Sequence, residues 1–367
     1  MIAPTVDSLG VLIVDDSAFM RKLIAEMIAS QPGFRVAGFA RDGADALVQV
    51  QRLQPAIVTL DLEMPKLDGL AVLQRIMAES PRPVIVLSAG GAQYGDATLR
   101  ALELGAVEFV RKPSGPISLD LPLIRDRLVD ALAAAARATI PLLPALVPME
   151  PRAQQRVPDA AAASVTHAAA RHVVVIASST GGPRALAELI PLLPSSLAAA
   201  VVVAQHIPAE FTAALSHRLA RTSSVDVCEA DDGISLLDGV VYIARGGVHS
   251  TLSGTPGAAT LHQHAAGSRS GVTPSADMLF ESAAQVFGRD STGVVLTGMG
   301  RDGALGLKSI RAAGGHSIVQ DEASSAIYGM PRAALAEAGA DRVVSLAGMA
   351  SAIVGMVPGE RLEWLTA

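Results

Sequence analysis

Short aliphatic runs alternate with helix-like stretches through the first third of the chain. The runs cover residues 11–14, 56–60, 84–87 and 107–111, and helix-like stretches cover residues 20–30, 44–53 and 97–104. Runs of four or five residues are too short for helices and are typical of strands buried on both faces. Gly105 follows the last stretch, where glycine favours a helix end. The pattern predicts an α/β fold, with a parallel sheet between two layers of helices.

Polar side chains follow each of these runs directly. They are Asp15 and Asp16, then Asp61, Ser88 and Lys112. The carboxyl ends of parallel strands meet at one edge of a sheet, so we expect these side chains to converge. Clustered carboxylates suit Mg²⁺, while a free carboxylate can attack phosphorus and an ammonium or hydroxyl can hold the transferring oxygens. Each residue alone is equally consistent with a loop, but here polar residues directly follow a strand-like run four times in succession.

Two segments of this half carry longer motifs. They read V-D-D-S-A-F-M-R at residues 14–21 and D-L-E-M-P-K-L-D-G at residues 61–69. Together with Ser88, Phe109 and Lys112-Pro113, they closely resemble a bacterial response-regulator receiver domain. The resemblance covers residues 1–125 and implies a flavodoxin-like sheet.

The receiver resemblance also implies roles for single residues. A partner histidine kinase is expected to phosphorylate Asp61, and Mg²⁺ is expected to bind Asp15, Asp16 and Asp61. The residues expected to form the switch that responds to phosphorylation are Ser88, Phe109 and Lys112.

Length and composition leave room for a second domain. At 367 residues the chain exceeds one receiver, and a prior of about 150 residues per domain gives two domains. The single cysteine, Cys228, excludes an internal disulfide and fits a reducing compartment. The sequence contains neither a basic-apolar leader nor an apolar run of about 18 residues. We therefore expect a cytoplasmic protein without direct membrane insertion.

Composition changes between residues 139 and 171. Of these 33 residues, 5 are proline and 9 are alanine, and no strand pattern survives. Such a segment is typical of a partly stiffened interdomain linker. We expect a receiver at residues 1–125, a helix end and Ala/Pro-rich linker at 126–170, and a second domain at 171–362.

The charge of the second half argues against a nucleic-acid partner. Residues 172–367 contain 12 Lys and Arg against 17 Asp and Glu, a net charge of −5. Such a surface repels phosphates, and no basic recognition helix is visible. A receiver that drives a DNA-binding output is therefore disfavoured.

Polar residues at strand ends recur in the second half. Apolar runs at residues 172–176, 200–204 and 293–296 precede S-S-T-G-G-P (178–183), Q-H-I-P (205–208) and T-G-M-G-R-D-G (297–303). We therefore expect Ser179, His206 and Asp302 to meet at the carboxyl edge of a second parallel sheet. A serine nucleophile, a histidine base and an aspartate that fixes the histidine tautomer form a hydrolase constellation.

Spacing alone leaves other interpretations of these residues open. Gly181 and Gly182 permit a tight turn that exposes a hydroxyl, but they also suit a phosphate-cradling loop of a nucleotide site. His206 is also consistent with packing, and Asp302 with a turn. The G-x-S-x-G elbow is missing, and the order Ser, His, Asp differs from that of the best-known triads.

Longer motifs in this half narrow the choice. They are S-T-G-G-P (179–183), Q-H-I-P-A-E-F-T (205–212), P-S-A-D-M-L-F-E-S-A-A (274–284), L-T-G-M-G-R-D-G-A-L-G (296–306) and Q-D-E-A-S-S-A-I-Y-G-M-P (320–331). Together with the preceding receiver and linker, they resemble the bacterial chemotaxis protein-glutamate methylesterase family over nearly the whole chain. The implied architecture is two doubly wound parallel-sheet domains, the second of them Rossmann-like.

This second resemblance implies a reaction and its participants. The expected activity is hydrolysis of glutamate γ-methyl esters on chemoreceptors, with release of methanol, together with deamidation of receptor glutamines. By motif, Ser179 is the nucleophile, His206 the general base and Asp302 its orienting group. Backbone N–H groups of Thr180 and Met299 are the candidate oxyanion hole. The implied phosphodonor is the chemotaxis histidine kinase, and no cofactor is implied for the esterase.

Three positions depart from the family pattern. Ala177 stands where glycine is usual, Arg245 where proline is usual, and Val272-Thr273 where many members have His-Arg. The last change removes a cation beside the expected cleft, which leaves open a chemosensory pathway other than flagellar chemotaxis. A non-catalytic adaptor that only binds receptors is the remaining alternative.

Overall fold

Strands and helices alternate along the first half of the chain. The computed structural model describes residues 8–88, 95–112, 121–139, 167–265, 267 and 271–357. The strands of this half are β1 (Leu9–Val14), β2 (Phe34–Ala40), β3 (Ile57–Asp61), β4 (Val84–Ser88) and β5 (Glu108–Arg111). Its helices are α1 (Ala18–Ala29), α2 (Gly43–Leu53), α3 (Gly69–Glu79), α4 (Gly95–Glu103) and α5 (Leu121–Ala135). The predicted elements are present, α5 contains the helix end expected after residue 125, and β2 and α3 are additional.

The strands of the first half form one parallel sheet in the order β2-β1-β3-β4-β5. Successive side chains of β1 enter opposite cores: Leu12 and Val14 lie in one, and Val11 and Ile13 in the other. Buried residues of α1 and α5 complete the second core. Both faces are covered, as a parallel sheet requires. The strand order is that of flavodoxin-like domains, which confirms the predicted fold of this half.

The second half contains a larger set of elements. Its strands are β6 (Val173–Ser178), β7 (Ala200–Gln205), β8 (Asp226–Glu229), β9 (Ile234–Ser235), β10 (Val240–Ile243), β11 (His249–Ser253), β12 (Thr260–His264), β13 (Ser291–Val295), β14 (His316–Gln320) and β15 (Arg342–Val344). Its α-helices are α6 (Gly182–Leu189), α7 (Ala209–Thr222), α8 (Ala276–Phe287), α9 (Ala304–Ala312), α10 (Met330–Glu337) and α11 (Leu346–Val354).

Seven of these strands form a second parallel sheet in the order β15-β14-β13-β6-β7-β10-β8. Strand β6 pairs with β7 on one side and with β13 on the other. The chain therefore places β7 on one side of β6 and later places β13 on the other side, so the strand order reverses at β6. In open α/β sheets, ligands bind outside the carboxyl ends of the strands at such a point. Ser179 is the first residue after β6.

Two features of the second half differ from the sequence pattern. A small antiparallel sheet, in the order β11-β12-β9, was not predicted. Residues 184–193 have a helix-like pattern that predicts one helix over this range. In the structure the helix begins at Gly182 and ends at Leu189, and a 3₁₀ turn follows at Ile190–Leu192. Pro191 lies in that turn, and it has no N–H with which to continue α-helical bonding.

The two halves pack against each other through α4 and β5 of the first and α6 and α7 of the second. One apolar core runs across the boundary and includes Leu99 and Leu102 of α4 with Leu215 of α7. Arg218 of α7 donates to Glu103 of α4 through Nε at 2.9 Å and Nη2 at 2.5 Å. We refer to these contacts, with those of β5 described below, as the interdomain face.

Most of the expected linker, residues 140–166, lies outside the described residues, as does the expected end of the second domain at residue 362. The boundaries at residues 125 and 171 stay a prediction. Within the part of the chain that the structure describes, no helix combines the length and the apolar character needed to span a bilayer.

Candidate active site

Three carboxylates lie together at the edge of the first sheet. Asp15, Asp16 and Asp61 each place one oxygen within 4.8 Å of the others, and Asp16 is the exposed member. The Lys112 ammonium lies 2.8 Å from Asp15 Oδ2 and 2.6 Å from Asp61 Oδ2. The structure therefore brings together four of the residues that the receiver motifs singled out.

The electrostatics of this cluster suit a hard cation. Burial raises the pKa of Asp61 to about 6, against the lowering effect of the Lys112 contact. Burial also disfavours the charged form of Lys112, but the contacts with Asp15 and Asp61 outweigh it and raise the Lys112 pKa. Asp15 Oδ2 and Asp61 Oδ2 are buried, and the partner that the described residues offer both oxygens is the Lys112 ammonium. Two such anionic oxygens and the exposed Asp16 carboxylate fit Mg²⁺ with several waters.

Two of the expected switch residues contact other elements. Ser88 follows Leu87, the register partner of Asp61, and its hydroxyl accepts a hydrogen bond from Thr98 Oγ1 of α4 at 3.0 Å. The ring of Phe109 packs edge-on against Phe211 of α7, with centroids 4.6 Å apart. The positions expected to sense phosphorylation thus touch α4 and the second half, which are the two sides of the interdomain face.

The candidate triad lies at the carboxyl edge of the second sheet. Ser178 pairs in register with Gln205, and these residues end β6 and β7. Ser179 and His206 are therefore the first residues after two neighbouring strands. His206 Nε2 lies 2.9 Å from Asp302 Oδ2. A carboxylate only accepts, so Nε2 carries the hydrogen and Nδ1 of the neutral ring keeps its lone pair. Among the hydrogen bonds of the described residues, none joins Ser179 Oγ to His206.

Asp302 accepts several hydrogen bonds from the start of α8. Ala276 N–H donates at 2.6 Å, Asp277 N–H at 3.2 Å and the Ser275 hydroxyl at 3.1 Å. Burial raises the pKa of Asp302, but the bonds from His206 and from the amides outweigh it, and the net pKa is lowered. The helix N-terminus favours the same ionised form. Asp302 is therefore an anion at neutral pH that fixes the His206 tautomer.

Close backbone approach explains two of the glycines near Ser179. A Cβ on Gly298 would lie 2.7 Å from Ser179 Cβ, which is closer than real contacts allow. Gly181 has φ +78°, a left-handed conformation that side chains rarely adopt, and it forms the N-cap of α6. These glycines let the Ser179 turn and the Asp302 loop lie directly against each other.

Gln205 is a supporting residue whose role the sequence pattern did not predict. Its Nε2 donates to the carbonyl oxygens of Ser179 and His206, both at 3.0 Å. Its Oε1 accepts from the Ser178 hydroxyl at 2.7 Å. One buried amide thus ties the nucleophile turn to the histidine loop. Its place inside the Q-H-I-P motif was the available signal.

The two oxyanion candidates flank Ser179 and are covered by the first half. The Thr180 hydroxyl donates to Glu108 Oε2 of β5 at 2.9 Å. Met299 packs against a small apolar cluster that contains Val107, Ala134 and Ile327. Thr139 N–H adds a hydrogen bond to the Ala326 carbonyl at 3.0 Å. The interdomain face thus extends to the residues on both sides of the nucleophile, and the family resemblance implies such a cover of the esterase cleft by the unphosphorylated receiver.

The departures from the family pattern lie around this edge. Ala177 is buried in β6. A Cβ added to Gly303 would lie 3.1 Å from the Cβ of Ala177, so the loop after Asp302 has little room. Arg245 is more than half exposed and lies 3.9 Å from Glu229 Oε1. Thr273 precedes Pro274 through a cis peptide bond just before the N-cap of α8.

Comparisons with known proteins identify the families that both halves of the chain match. The profile of the response regulator receiver domain matches residues 11–121, and that of the CheB methylesterase matches residues 174–353. A protein-glutamate methylesterase/protein-glutamine glutaminase of Oleidesulfovibrio alaskensis is 40% identical over 95% of this chain and 99% of its own length. This chain belongs to the CheB methylesterase family.

Other members of the CheB family show the same extent of similarity. The relative in Symbiobacterium thermophilum is 44% identical over 95% of this chain and 96% of its own length, and that of Pyrococcus horikoshii is 41% identical over 95% and 93%. The crystal structure of the CheB methylesterase catalytic domain of Thermotoga maritima is 36% identical, with a TM-score of 0.50, and covers 51% of this chain and 98% of that one. The expected family and the expected two-domain α/β fold are confirmed.

Proposed function

We propose that this chain hydrolyses glutamate γ-methyl esters of chemoreceptors and deamidates receptor glutamines, with Ser179, His206 and Asp302 as its triad. Family membership supports the reaction class. The observation that carries the assignment of residues is the 2.9 Å bond between His206 Nε2 and the ionised Asp302, one strand away from Ser179. This bond leaves His206 Nδ1 as the base.

The reaction proceeds through an acyl-enzyme. Ser179 Oγ attacks the γ-carbonyl carbon while its proton moves to His206 Nδ1. The tetrahedral intermediate collapses, the imidazolium returns the proton to the methoxy oxygen, and methanol leaves. Water then attacks the acyl group with His206 again as base, which releases the glutamate carboxylate and restores the Ser179 hydroxyl. With a glutamine substrate the leaving group is ammonia.

The Asp302 carboxylate and two backbone N–H groups lower the barrier in this scheme. Asp302 stabilises the imidazolium that forms on His206 and stays ionised itself. Backbone N–H groups of Thr180 and Met299 stabilise the oxyanion, a role supported by their positions directly after Ser179 and on the neighbouring 297–303 loop. Gln205 holds the carbonyls of Ser179 and His206 and so keeps the two reacting side chains in register.

We propose that the receiver domain accepts a phosphoryl group on Asp61 from a chemotaxis histidine kinase. Asp15, Asp16 and Asp61 would hold Mg²⁺, which when bound neutralises charge on the transferring oxygens. Asp61 is the attacking carboxylate, and Lys112 lies 2.6 Å from one of its oxygens, where it can pair with the phosphoryl group.

Regulation follows from the interdomain face. In this structure β5 and the end of α5 cover Thr180 and Met299, and substrate must reach the same place. Ser88 and Phe109 join the phosphorylation edge to this face, so an acyl phosphate on Asp61 can weaken it. Only a difference in affinity between the two receiver states can shift such an equilibrium.

Methanol release from a methylated receptor fragment tests this function directly. We expect release by the wild-type chain, an increase on addition of a small phosphodonor with Mg²⁺, and loss in Ser179→Ala. The phosphoadduct, followed by mass, should require Mg²⁺ and disappear in Asp61→Asn. Receptor binding without methanol release by the wild type would instead identify a non-catalytic adaptor.

A further inference from the structure

Glu108 places a glutamate γ-carboxyl group beside the nucleophile. It is the first residue of β5, and its Oε2 accepts from the Thr180 hydroxyl at 2.9 Å. Thr180 is buried and directly follows Ser179. The other carboxyl oxygen, Oε1, accepts from the Phe109 N–H at 3.1 Å. One side chain of the receiver therefore ends on the residue next to the candidate catalytic serine.

The chemistry of this group matches the reaction. Both hydrolysis of a γ-methyl ester and deamidation of a glutamine yield a glutamate γ-carboxyl group. The Oε2 atom of Glu108 is thus an oxygen of the same functional group that the esterase releases. A hydroxyl that donates to a γ-carboxyl oxygen can equally donate to the γ-carbonyl oxygen of an ester or an amide.

The surroundings make this contact specific rather than incidental. Glu108 is partly buried, and burial raises its pKa despite the bonds from Phe109 and Thr180. A carboxyl group that is costly to bury is retained only with good partners. The Phe109–Phe211 ring pair and the apolar cluster of Val107 with Met299 lie on either side in sequence and hold β5 against the second half.

We propose that the Thr180 hydroxyl is a substrate-binding group that positions the γ-carbonyl of the receptor side chain, and that Glu108 occupies this position as a built-in product analogue. This inference rests on the proposed function and adds that the receiver places Glu108 in the substrate position. The covered state then resembles an enzyme–product complex. Opening of the interdomain face removes Glu108 and frees the Thr180 hydroxyl for substrate.

Binding of the reaction product tests whether Glu108 and the product occupy the same position at Thr180, and this test needs no catalysis. The probe is an unmethylated receptor fragment, titrated calorimetrically into the full chain without phosphodonor. Glu108→Ala vacates the site and should tighten binding about tenfold, the scale of one hydrogen bond to a charged group. Glu108→Gln keeps an acceptor for Thr180 and should bind the fragment like the wild type.

A double-mutant cycle separates a shared site from a merely looser interface. Thr180→Val removes the hydroxyl at nearly constant shape, and in that background Glu108→Ala should no longer tighten fragment binding. Glu103→Ala is the matched control, because it removes the contact with Arg218 on the same face, away from Ser179. Its effect should be the same in both backgrounds. Equal effects of Glu108→Ala with and without the Thr180 hydroxyl would overturn the proposal.

Kinetics of the phosphodonor-activated chain give the second test. Thr180→Val should raise KM for the methylated fragment about tenfold with kcat little changed, because it removes binding made before the transition state, and Thr180→Ser should restore KM. An unchanged KM in Thr180→Val would overturn the substrate role. If methanol is released but the effects of Glu108→Ala and Thr180→Val on fragment binding simply add, this proposal alone is refuted. If no variant releases methanol but the two effects on fragment binding depend on each other, the esterase function alone is refuted.

Discussion

Asp277 and Asp302 cap each other's helices. Asp302 precedes the N-cap of α9 and accepts from the first amides of α8, while Asp277 in α8 accepts from Gly306 N–H in the first turn of α9 at 2.8 Å. Burial raises the pKa of Asp277 to about 6, and the charge of Asp302 adds to the rise. The position of the candidate triad aspartate therefore depends on a second carboxyl group that takes no part in the chemistry.

Asp277→Ala should lower kcat with little effect on KM. Without the acceptor for Gly306, the start of α9 can move and displace Asp302, and a shift of about 1 Å near a catalytic group can cost about 100-fold. Asp277→Asn keeps an acceptor oxygen and should retain most of the activity. Steady-state kinetics on the phosphodonor-activated chain compare the two variants. An equally inactive Asn variant with a wild-type thermal midpoint would show that the charge of Asp277, rather than its cap, is needed.

Ser179, His206 and Asp302 should behave as one catalytic unit. Each of Ser179→Ala and His206→Ala is expected to lower kcat by about 10⁴-fold or more, and the double variant should be little worse than either single variant. Asp302→Asn should retain somewhat more activity, because it removes only the group that orients His206. Methanol release under single-turnover conditions measures all four variants. Full activity of Ser179→Ala would point to a different nucleophile.

A fragment from residue 171 onward should be more active than the unphosphorylated whole chain. It lacks β5 and the end of α5, which cover Thr180 and Met299 in the intact protein. If the interdomain face is worth a few kcal/mol, release should raise activity by about 10- to 100-fold. Circular dichroism and a cooperative melting transition establish that the fragment is folded. A folded fragment that is no faster than the resting whole chain would mean that the receiver acts by localisation.

A rise in pH above the ordinary glutamate pKa of 4.5 should loosen the resting interdomain face through Glu108. Burial raises the pKa of Glu108 in the closed arrangement, so protonation of this carboxyl group stabilises closure. The stabilisation is complete below the ordinary pKa of 4.5 and is lost as pH rises through the raised pKa. Arg127 and Asp130 of α5 face the same carboxyl group with opposite charges, and Thr180 faces it from the second half. The ratio of resting activity in the wild type to that in Glu108→Gln should rise with pH. A constant ratio would exclude this titration.

His172 should make the second domain less stable in acid. Burial lowers its pKa from 6.5 to about 4, and its Nε2 lies 3.0 Å from Thr292 Oγ1. The unfolded chain takes up the proton first, so stability is complete above pH 6.5 and falls by up to about 3 kcal/mol as pH drops towards 4. The pH dependence of the thermal midpoint should be shallower in His172→Gln. Parallel curves for the two proteins would assign the acid sensitivity to other groups.

The sequence by itself determined the two parallel sheets and the convergence of the polar residues at their edges. Several short apolar runs in succession, each followed directly by a polar residue such as Asp61 or Ser179, predict this arrangement, because parallel strands bring their carboxyl ends to one side. The small antiparallel sheet was missed because its strands are short and have polar residues on both faces. Helix α6 was predicted too long because periodicity does not reveal where Pro191 ends the α-helical bonding.

Only the tertiary structure decided which residues support the site and which contacts cover it. Nothing in local pattern distinguishes Gln205, Ser275 or Asp277 from ordinary polar residues of a motif, since their roles depend on partners that lie far away along the chain. The contact of Glu108 with Thr180 joins residues 72 positions apart in two separate domains. Such a contact arises from how two finished surfaces fit together, and the physical reason it escapes the sequence is that neither surface exists until each domain has folded.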